Sequence, residues 1–205
     1  MLNLFARGAV NRLTDPVGRG LVTRGVDPDT VTVVGTVAAI ASAVGLLPTG
    51  RLIVGSVLVT LFVLTDLIDG AMARARGYST PFGAVLDSTC DRMVDGAVLG
   101  ALAWWTLTGG NEPLAGAAAL VSLVGGLIVS YVKARAESVG LTAEGGLVER
   151  AERLIFALLG AFLAGVGVPW ALTVALVALA VGTVVTLAQR IWSVRTSARR
   201  AERGG

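Results

Sequence analysis

Residues 52–73 read LIVGSVLVTLFVLTDLIDGAMA, an apolar stretch with two carboxylates near its end. Its length matches the ~20 residues that a helix needs to cross the hydrocarbon core of a bilayer. Asp66 and Asp69 lie three residues apart, so they project from one face of that helix. A membrane helix carries such charges at a cost of ~2.5–3.5 kcal/mol each. The stretch therefore predicts a membrane helix with a functional polar end.

The composition of the chain also indicates a membrane protein. Its 205 residues are 54% hydrophobic and only 15% charged, with a mean hydropathy of +0.76, whereas soluble proteins carry ~25% charged residues. The absence of histidine excludes His-based metal sites and nucleophile systems, and a single cysteine, Cys90, excludes an intrachain disulfide. The net charge of +3 fits a basic membrane face, and we predict no nucleic-acid partner because few aromatic residues accompany it.

We predict an all-α integral membrane protein with six transmembrane helices. Turn-forming Gly and Pro residues separate its apolar stretches. The predicted spans are 30–48, 52–73, 84–108, 113–136, 149–167 and 169–192. The chain then has three parts, which are a cytoplasmic juxtamembrane segment over 1–29, the six-helix domain over 30–192 and a basic tail over 193–205.

The segment before the first span predicts an amphipathic helix that lies on the membrane surface. Residues 2–24 mix apolar residues with arginines, as interfacial helices do. The apolar contacts are Leu2, Leu4, Phe5, Val10 and Leu13, and the residues toward the head groups are Arg7, Arg12 and Arg19.

The basic residues predict the orientation. With six spans, one side of the membrane receives both termini and the second and fourth loops. Of the 17 Lys and Arg residues, only Arg51 and Arg92 fall elsewhere. The positive-inside rule therefore predicts a multi-pass protein of the cell membrane with both termini in the cytoplasm.

A second pair of carboxylates can meet the first. Asp87 and Asp91 lie four residues apart on the third span, and the short turn over 74–83 makes the second and third spans antiparallel neighbours. Carboxylates in one small volume repel one another unless a cation lies among them, and the hard cations Mg²⁺ and Mn²⁺ prefer oxygen ligands. Salt bridges with nearby arginines and an ion or proton pathway through the bundle are the alternatives, but the acids cluster at one membrane face.

The polar residues of the two spans form one extended motif. It reads Asp66-x-x-Asp69-Gly70-x-x-Ala73-Arg74, then eight residues, then Gly83-x-x-x-Asp87-x-x-x-Asp91. In every defined position the motif resembles the signature of the CDP-alcohol phosphotransferase family. That family has six membrane helices after a cytoplasmic amphipathic helix, so the resemblance covers the whole chain.

The resemblance implies a role for each matching residue. Two divalent metals, Mg²⁺ or alternatively Mn²⁺, are held by Asp66, Asp69, Asp87 and Asp91. Asp91 also takes the proton from the attacking alcohol. The donor nucleotide is contacted by Gly70, Arg74 and Thr80 and by Asp29, Thr30, Val31 and Thr32 before the first span. Asp29 stands where many members of the family have Asn.

A second polar cluster bears on the acceptor alcohol. It consists of Ser130-Tyr-Val-Lys133-Ala-Arg135 and of the run GGLVERAER that ends at Arg153. An ordinary basic collar of a membrane protein is the alternative interpretation. The cluster resembles the actinobacterial branch of the family that makes phosphatidylinositol phosphate from CDP-diacylglycerol and inositol 1-phosphate.

That second resemblance implies an acceptor site. The acceptor phosphate is held by Ser130, Lys133, Arg153 and an arginine of the last helix, for which Arg190 and Arg195 compete and we favour Arg195. Glycerol 3-phosphate is the alternative acceptor, and a divalent-cation transporter is the alternative of another class. The family resemblance also implies a homodimer, and Gly96 and Gly100 provide the small-residue spacing of helix association.

Overall fold

The computed structural model describes residues 14–77 and 80–204, and all regular secondary structure in these ranges is helical. Of the predicted surface helix, residues 14–23 are helical and form α1, whereas 2–13 lie outside the described residues. The other helices are α2 (Pro28–Leu46, followed by a 3₁₀ turn, Leu47–Thr49), α3 (Leu52–Val63), α4 (Asp66–Arg76), α5 (Pro81–Thr108), α6 (Pro113–Ser138), α7 (Arg150–Gly165) and α8 (Ala171–Gly204).

The predicted span over 52–73 is two helices, which is a departure from the expected single helix. The break lies at residues 64–65, where Thr65 Oγ1 donates a hydrogen bond to the carbonyl of Phe62 at 2.6 Å. Thr65 also packs tightly against Gly35 of α2, where an added Cβ would lie 2.1 Å from Thr65 Oγ1. Contact with α2 thus stabilises the turn at residues 64–65. This turn sets the direction of α4, which carries Asp66 and Asp69.

Local signals in the sequence set where α4 ends and where α5 and α7 begin. Gly77 ends α4 in a left-handed conformation (φ 78°), which glycine adopts without strain. Thr80 caps α5 because its Oγ1 accepts the Gly83 N–H at 2.9 Å. Glu149 and Glu152 form a capping box at the start of α7. These caps lie at the C-terminus of α4 and at the N-termini of α5 and α7.

Four stretches of the described chain are long and apolar enough to cross a membrane: Pro28–Thr49, Leu52–Arg76, Pro113–Ser138 and Ala171–Glu202. Helix α5 has 28 residues, but its final 18 still contain Asp91, Arg92 and Asp95. Helix α7 has 16 residues. Apolar side chains such as Val34, Trp104 and Trp192 are more than half exposed on the outside of the bundle. The chain is a membrane protein, and the count of six spans stays a prediction.

Helix α5 packs against α2, α6 and α7. Its apolar half contributes Val94, Val98 and Leu102 to the core, which small residues on neighbouring helices allow to pack closely. Leucines from α8 complete this core: Leu172, Leu176 and Leu179. The polar half of α5 continues from this core toward the ends of α4 and α7, and it forms the site described next.

Candidate active site

Three of the four predicted metal ligands converge. Asp66 on α4 and Asp87 and Asp91 on α5 each offer a carboxylate oxygen within 4.8 Å of the others. Asp91 Oδ1 is buried and accepts no regular hydrogen bond from the described residues. Convergent carboxylate oxygens are what a hard divalent cation requires. The three residues therefore fit a divalent-metal site.

Asp69, the fourth predicted ligand, lies beside this cluster and has a protein partner. It is buried on α4, and its Oδ2 accepts a short hydrogen bond from Thr32 Oγ1 on α2. Thr32 is one of the residues predicted to contact the donor nucleotide. The bond fixes Asp69 against α2 and links the acidic cluster to the start of the first long helix.

Two arginines reach the acidic cluster. Arg150, the first residue of α7, donates to Asp66 Oδ2 at 2.9 Å, and its Nη2 lies 2.7 Å from Asp91 Oδ1. Arg92 Nη2 lies 3.6 Å from Asp91 Oδ2. Sequence reasoning did not assign a role to Arg150, because no local spacing relates the start of α7 to Asp66 and Asp91.

A cavity of about 380 Å³ opens beside the cluster on the α2 side. Four of the residues predicted to bind the donor line it, namely Asp29, Thr32, Gly70 and Thr80. Asp66, Asp69 and Asp87 form part of the same wall, as does Arg76, which the sequence interpretation had passed over. Thr30 and Val31 are not among its lining residues. A donor in this cavity would have its phosphates next to the acids.

Gly83 keeps part of this cavity open. A Cβ at position 83 would lie 2.9 Å from Thr80 Oγ1 and 3.2 Å from Asp29 Oδ1. The predicted donor contact Arg74 lies outside the cavity lining, and its Nη2 pairs with Asp15 of α1 at 3.0 Å. Arg74 is half exposed.

A second cavity, of about 740 Å³, lies on the other side of the cluster, between α5, α6, α7 and α8. Ser130, Lys133 and Arg153 line it, as predicted for an acceptor site. Arg92, Arg150 and Arg190 add three further guanidinium groups. Arg92 Nη1 donates to Ser130 Oγ at 2.6 Å. Such a concentration of cationic donors suits a phosphate-bearing ligand.

The arginine of the last helix that lines this cavity is Arg190, not the favoured Arg195. Arg190 is buried, donates to the carbonyl of Val129 at 3.0 Å and to that of Gly145 at 3.2 Å, and lies 3.6 Å from Glu149. Arg195 is exposed and absent from the lining. The two residues lie five positions apart, so they point to different faces of α8.

Asp95, one helical turn beyond Asp91 on α5, pairs with Arg153 of α7. Its Oδ2 accepts hydrogen bonds from Arg153 Nε at 3.1 Å and from Nη2 at 2.8 Å. The pair orients one of the cationic groups of the larger cavity. Gly126 on α6 also lies against this guanidinium, because a Cβ there would come within 2.6 Å of Arg153 Nη1.

The helical architecture of the described residues, the convergent aspartates and the two flanking cavities fit a membrane transferase of the kind that the motif predicted. The sequence matches the CDP-alcohol phosphatidyltransferase family over residues 26–188. The chain therefore belongs to this family of enzymes, and the predicted membership is confirmed. An enzyme family favours the transferase interpretation over the transporter.

Individual relatives are similar over nearly the whole chain. The chain is 50% identical to the phosphatidylinositol phosphate synthase of Mycobacteroides abscessus, over 96% of this chain and 90% of that protein. It is 45% identical to the synthase of the same name from Streptomyces avermitilis, over 98% of this chain and 86% of that protein.

Two crystal structures of the Mycobacterium tuberculosis synthase, each 48% identical to the chain, are similar in fold. The structure with CDP-DAG bound has a TM-score of 0.87 and covers 91% of this chain and 95% of its own. The structure with manganese and citrate has a TM-score of 0.85 and covers 90% of both chains.

Proposed function

We propose that the chain transfers the phosphatidyl group of CDP-diacylglycerol to inositol 1-phosphate, which yields phosphatidylinositol phosphate and CMP. The observation that carries the proposal is the position of the acidic cluster between two cavities. Asp66 and Asp87 line the smaller cavity, and Arg92 and Arg150, which reach Asp91, line the larger one. Relatives with about half of their residues identical bear the name of this activity.

Asp66, Asp69, Asp87 and Asp91 are the proposed ligands of two Mg²⁺ ions, for which Mn²⁺ can substitute. The bound cations would stabilise charge on the phosphate oxygens during an in-line displacement. Asp91 is the proposed general base, since Arg92 and Arg150, which contact it, line the cationic cavity. It takes the proton of the acceptor hydroxyl as that oxygen bonds to phosphorus, and the bond from phosphorus to CMP breaks.

The smaller cavity is the proposed binding site for the CDP part of the donor. Thr32 and Thr80 offer hydroxyl groups there, whereas Gly70 and Gly83 contribute no side chain to its wall. The remaining proposed contacts are Asp29, Thr30, Val31 and Arg74, of which Asp29 lines the cavity.

The larger cavity is the proposed acceptor site, where Ser130, Lys133, Arg153 and Arg190 bind the phosphate of inositol 1-phosphate. Arg190 replaces Arg195 in this proposal because it lines the cavity.

We also propose the six-span topology, with α5 and α7 as the two spans in addition to the four apolar stretches. At ~1.5 Å per residue, the 28 residues of α5 are long enough to cross the bilayer. The three predicted parts of the chain, 1–29, 30–192 and 193–205, belong to the same proposal. The basic residues orient both termini and the active site toward the cytoplasm.

A homodimer through α5 is the proposed assembly. A Cβ added at Gly96 or Gly100 would meet nothing within 4 Å, so this small-residue face of α5 is open. Gly125 and Gly126 of α6, in contrast, pack against Thr183 and Arg153 of the same chain. Native mass spectrometry from mild detergent should give the mass of two chains, and a monomeric mass would contradict the proposal.

Release of CMP from CDP-diacylglycerol in liposomes tests the function. Inositol 1-phosphate, inositol and glycerol 3-phosphate are offered separately at equal concentration. We expect release with inositol 1-phosphate and little with the other two. A preference for glycerol 3-phosphate would identify a phosphatidylglycerophosphate synthase. A preference for free inositol would show that the larger cavity does not bind an acceptor phosphate.

A further inference from the structure

Arg150 connects the acidic cluster with the larger cavity. Its two terminal nitrogens contact Asp66 Oδ2 at 2.9 Å and Asp91 Oδ1 at 2.7 Å. These residues supply two of the three convergent carboxylates. One guanidinium thus bridges α4 and α5 through the same groups that the proposed cations use.

We propose that Arg150 is an exchangeable counter-ion that competes with a divalent cation for Asp66 and Asp91. The inference rests on the metal site of the proposed function. The two carboxylate oxygens lie 2.9 and 2.7 Å from the guanidinium, and a cation on the same oxygens would lie only a few Å from a like charge. Repulsion at that distance is stronger than in bulk water, because Arg150 and Asp66 are about three quarters buried. Binding of the cation therefore requires Arg150 to leave both carboxylates.

The surroundings of Arg150 permit such a movement. Its Nε is buried with no hydrogen-bond partner among the described residues, so no third contact locks the side chain. Arg153 differs, because both its Nε and its Nη2 bond to Asp95. Arg150 also lines the 740 Å³ cavity, which provides room for the displaced guanidinium. Rotation about the bonds of its own side chain suffices, and α7 need not move.

Binding of Mn²⁺ without substrates tests the exchange. The electron paramagnetic resonance signal of the free ion gives the affinity of the protein in detergent. We expect Arg150→Gln to bind Mn²⁺ about tenfold more tightly than the wild type, because the positive charge that competes with the ion for Asp66 and Asp91 is gone. Arg150→Lys keeps the charge and should stay within about threefold of the wild type. Arg135→Gln is the matched control, since Arg135 is exposed and contacts Ser138 of its own helix.

Thermal unfolding separates this role from a purely structural one. In EDTA, Arg150→Gln should unfold at a lower temperature than the wild type, because the carboxylates then lack a counter-ion. Saturating Mn²⁺ should close that difference. An equal loss of Tm in EDTA and in Mn²⁺, together with an unchanged affinity for Mn²⁺, would overturn the exchange.

The same measurements distinguish failure of the exchange from failure of the metal site. If the wild type binds no Mn²⁺, or if Asp87→Asn binds it as well as the wild type, the proposed metal site is wrong. If the wild type binds Mn²⁺, Asp87→Asn does not, and Arg150→Gln matches the wild type, only the exchange is wrong.

Discussion

Asp95 on α5 holds the guanidinium of Arg153 on α7 by two hydrogen bonds to one carboxylate oxygen, at 3.1 and 2.8 Å. Both side chains are almost fully buried, with 5% and 3% of their surfaces exposed. On another side the guanidinium lies against Gly126, where a Cβ would come within 2.6 Å of Nη1. An anion on one helix and a missing side chain on another thus fix the orientation of Arg153 in the wall of the larger cavity.

Gly126→Ala should weaken binding of the acceptor. The new methyl group displaces the guanidinium of Arg153, which then meets the acceptor phosphate in poor geometry. One charge-assisted contact is worth ~1.5–3 kcal/mol, so we expect KM for inositol 1-phosphate to rise roughly tenfold or more. Steady-state release of CMP at saturating donor measures it, and kcat and the donor KM should change little.

Gly125→Ala provides the matched control. Its Cβ would lie 2.6 Å from Cγ2 of Thr183, a clash of the same size away from the guanidinium. This variant should lose thermal stability but keep the KM of the wild type for the acceptor. Equal KM values for the two variants would contradict the positioning of Arg153 by Gly126.

Asp91→Asn should lose turnover rather than donor binding. General-base help is worth typically 10²–10⁴-fold, so we expect kcat to fall by about 10²-fold or more while the KM for CDP-diacylglycerol stays near that of the wild type. Asp66→Asn and Asp87→Asn should also be inactive, and EDTA should stop the wild type until Mg²⁺ or Mn²⁺ is added. Glu202→Gln, an exposed change near the end of α8, is the control. A loss confined to the donor KM of Asp91→Asn would exclude the base role.

The sequence predicted the helices well where glycine and proline delimit them. Pro28, Pro113 and Gly77 lie at helix ends in the structure, close to the predicted boundaries. The break at residues 64–65 was not predictable in this way. It depends on contact between Thr65 and Gly35 of another helix, and neither residue interrupts the apolar pattern of its own stretch.

The acidic cluster was predictable because its spacing is local. Carboxylates three or four residues apart share a helix face, and a short turn brings two such faces together. The partners of these acids come from α7, and no periodicity within one helix relates Arg150 to Asp66 or Arg153 to Asp95. The choice between Arg190 and Arg195 likewise depends on the rotation of α8 in the bundle. That rotation depends on contacts with other helices and cannot be predicted from the spacing of residues within α8.

Gly83→Ala should weaken binding of the donor. The added methyl group would lie 2.9 Å from Thr80 Oγ1 and 3.2 Å from Asp29 Oδ1, inside the wall of the smaller cavity. We expect the KM for CDP-diacylglycerol to rise roughly tenfold, a loss of about 1.4 kcal/mol of binding, with the acceptor KM preserved. Gly45→Ala on α2 is the control, because a Cβ there meets nothing within 4 Å and alanine favours the helix. A donor KM that matches that of Gly45→Ala would show that the cavity does not bind the donor.

Arg190→Ala and Arg195→Ala should differ sharply in their effect on the acceptor. Arg190 is buried in the wall of the larger cavity, where two backbone carbonyls orient it, and Arg195 is exposed outside the lining. Loss of a charged contact to the acceptor phosphate should raise the KM for inositol 1-phosphate about ten- to a hundredfold in Arg190→Ala. Arg195→Ala should stay within about twofold of the wild type, since an exposed charge outside the site contributes little. Steady-state release of CMP at saturating CDP-diacylglycerol gives both values, and an unchanged donor KM verifies that each variant is folded. The reverse order of the two KM values would return the acceptor role to Arg195 and require a different rotation of α8.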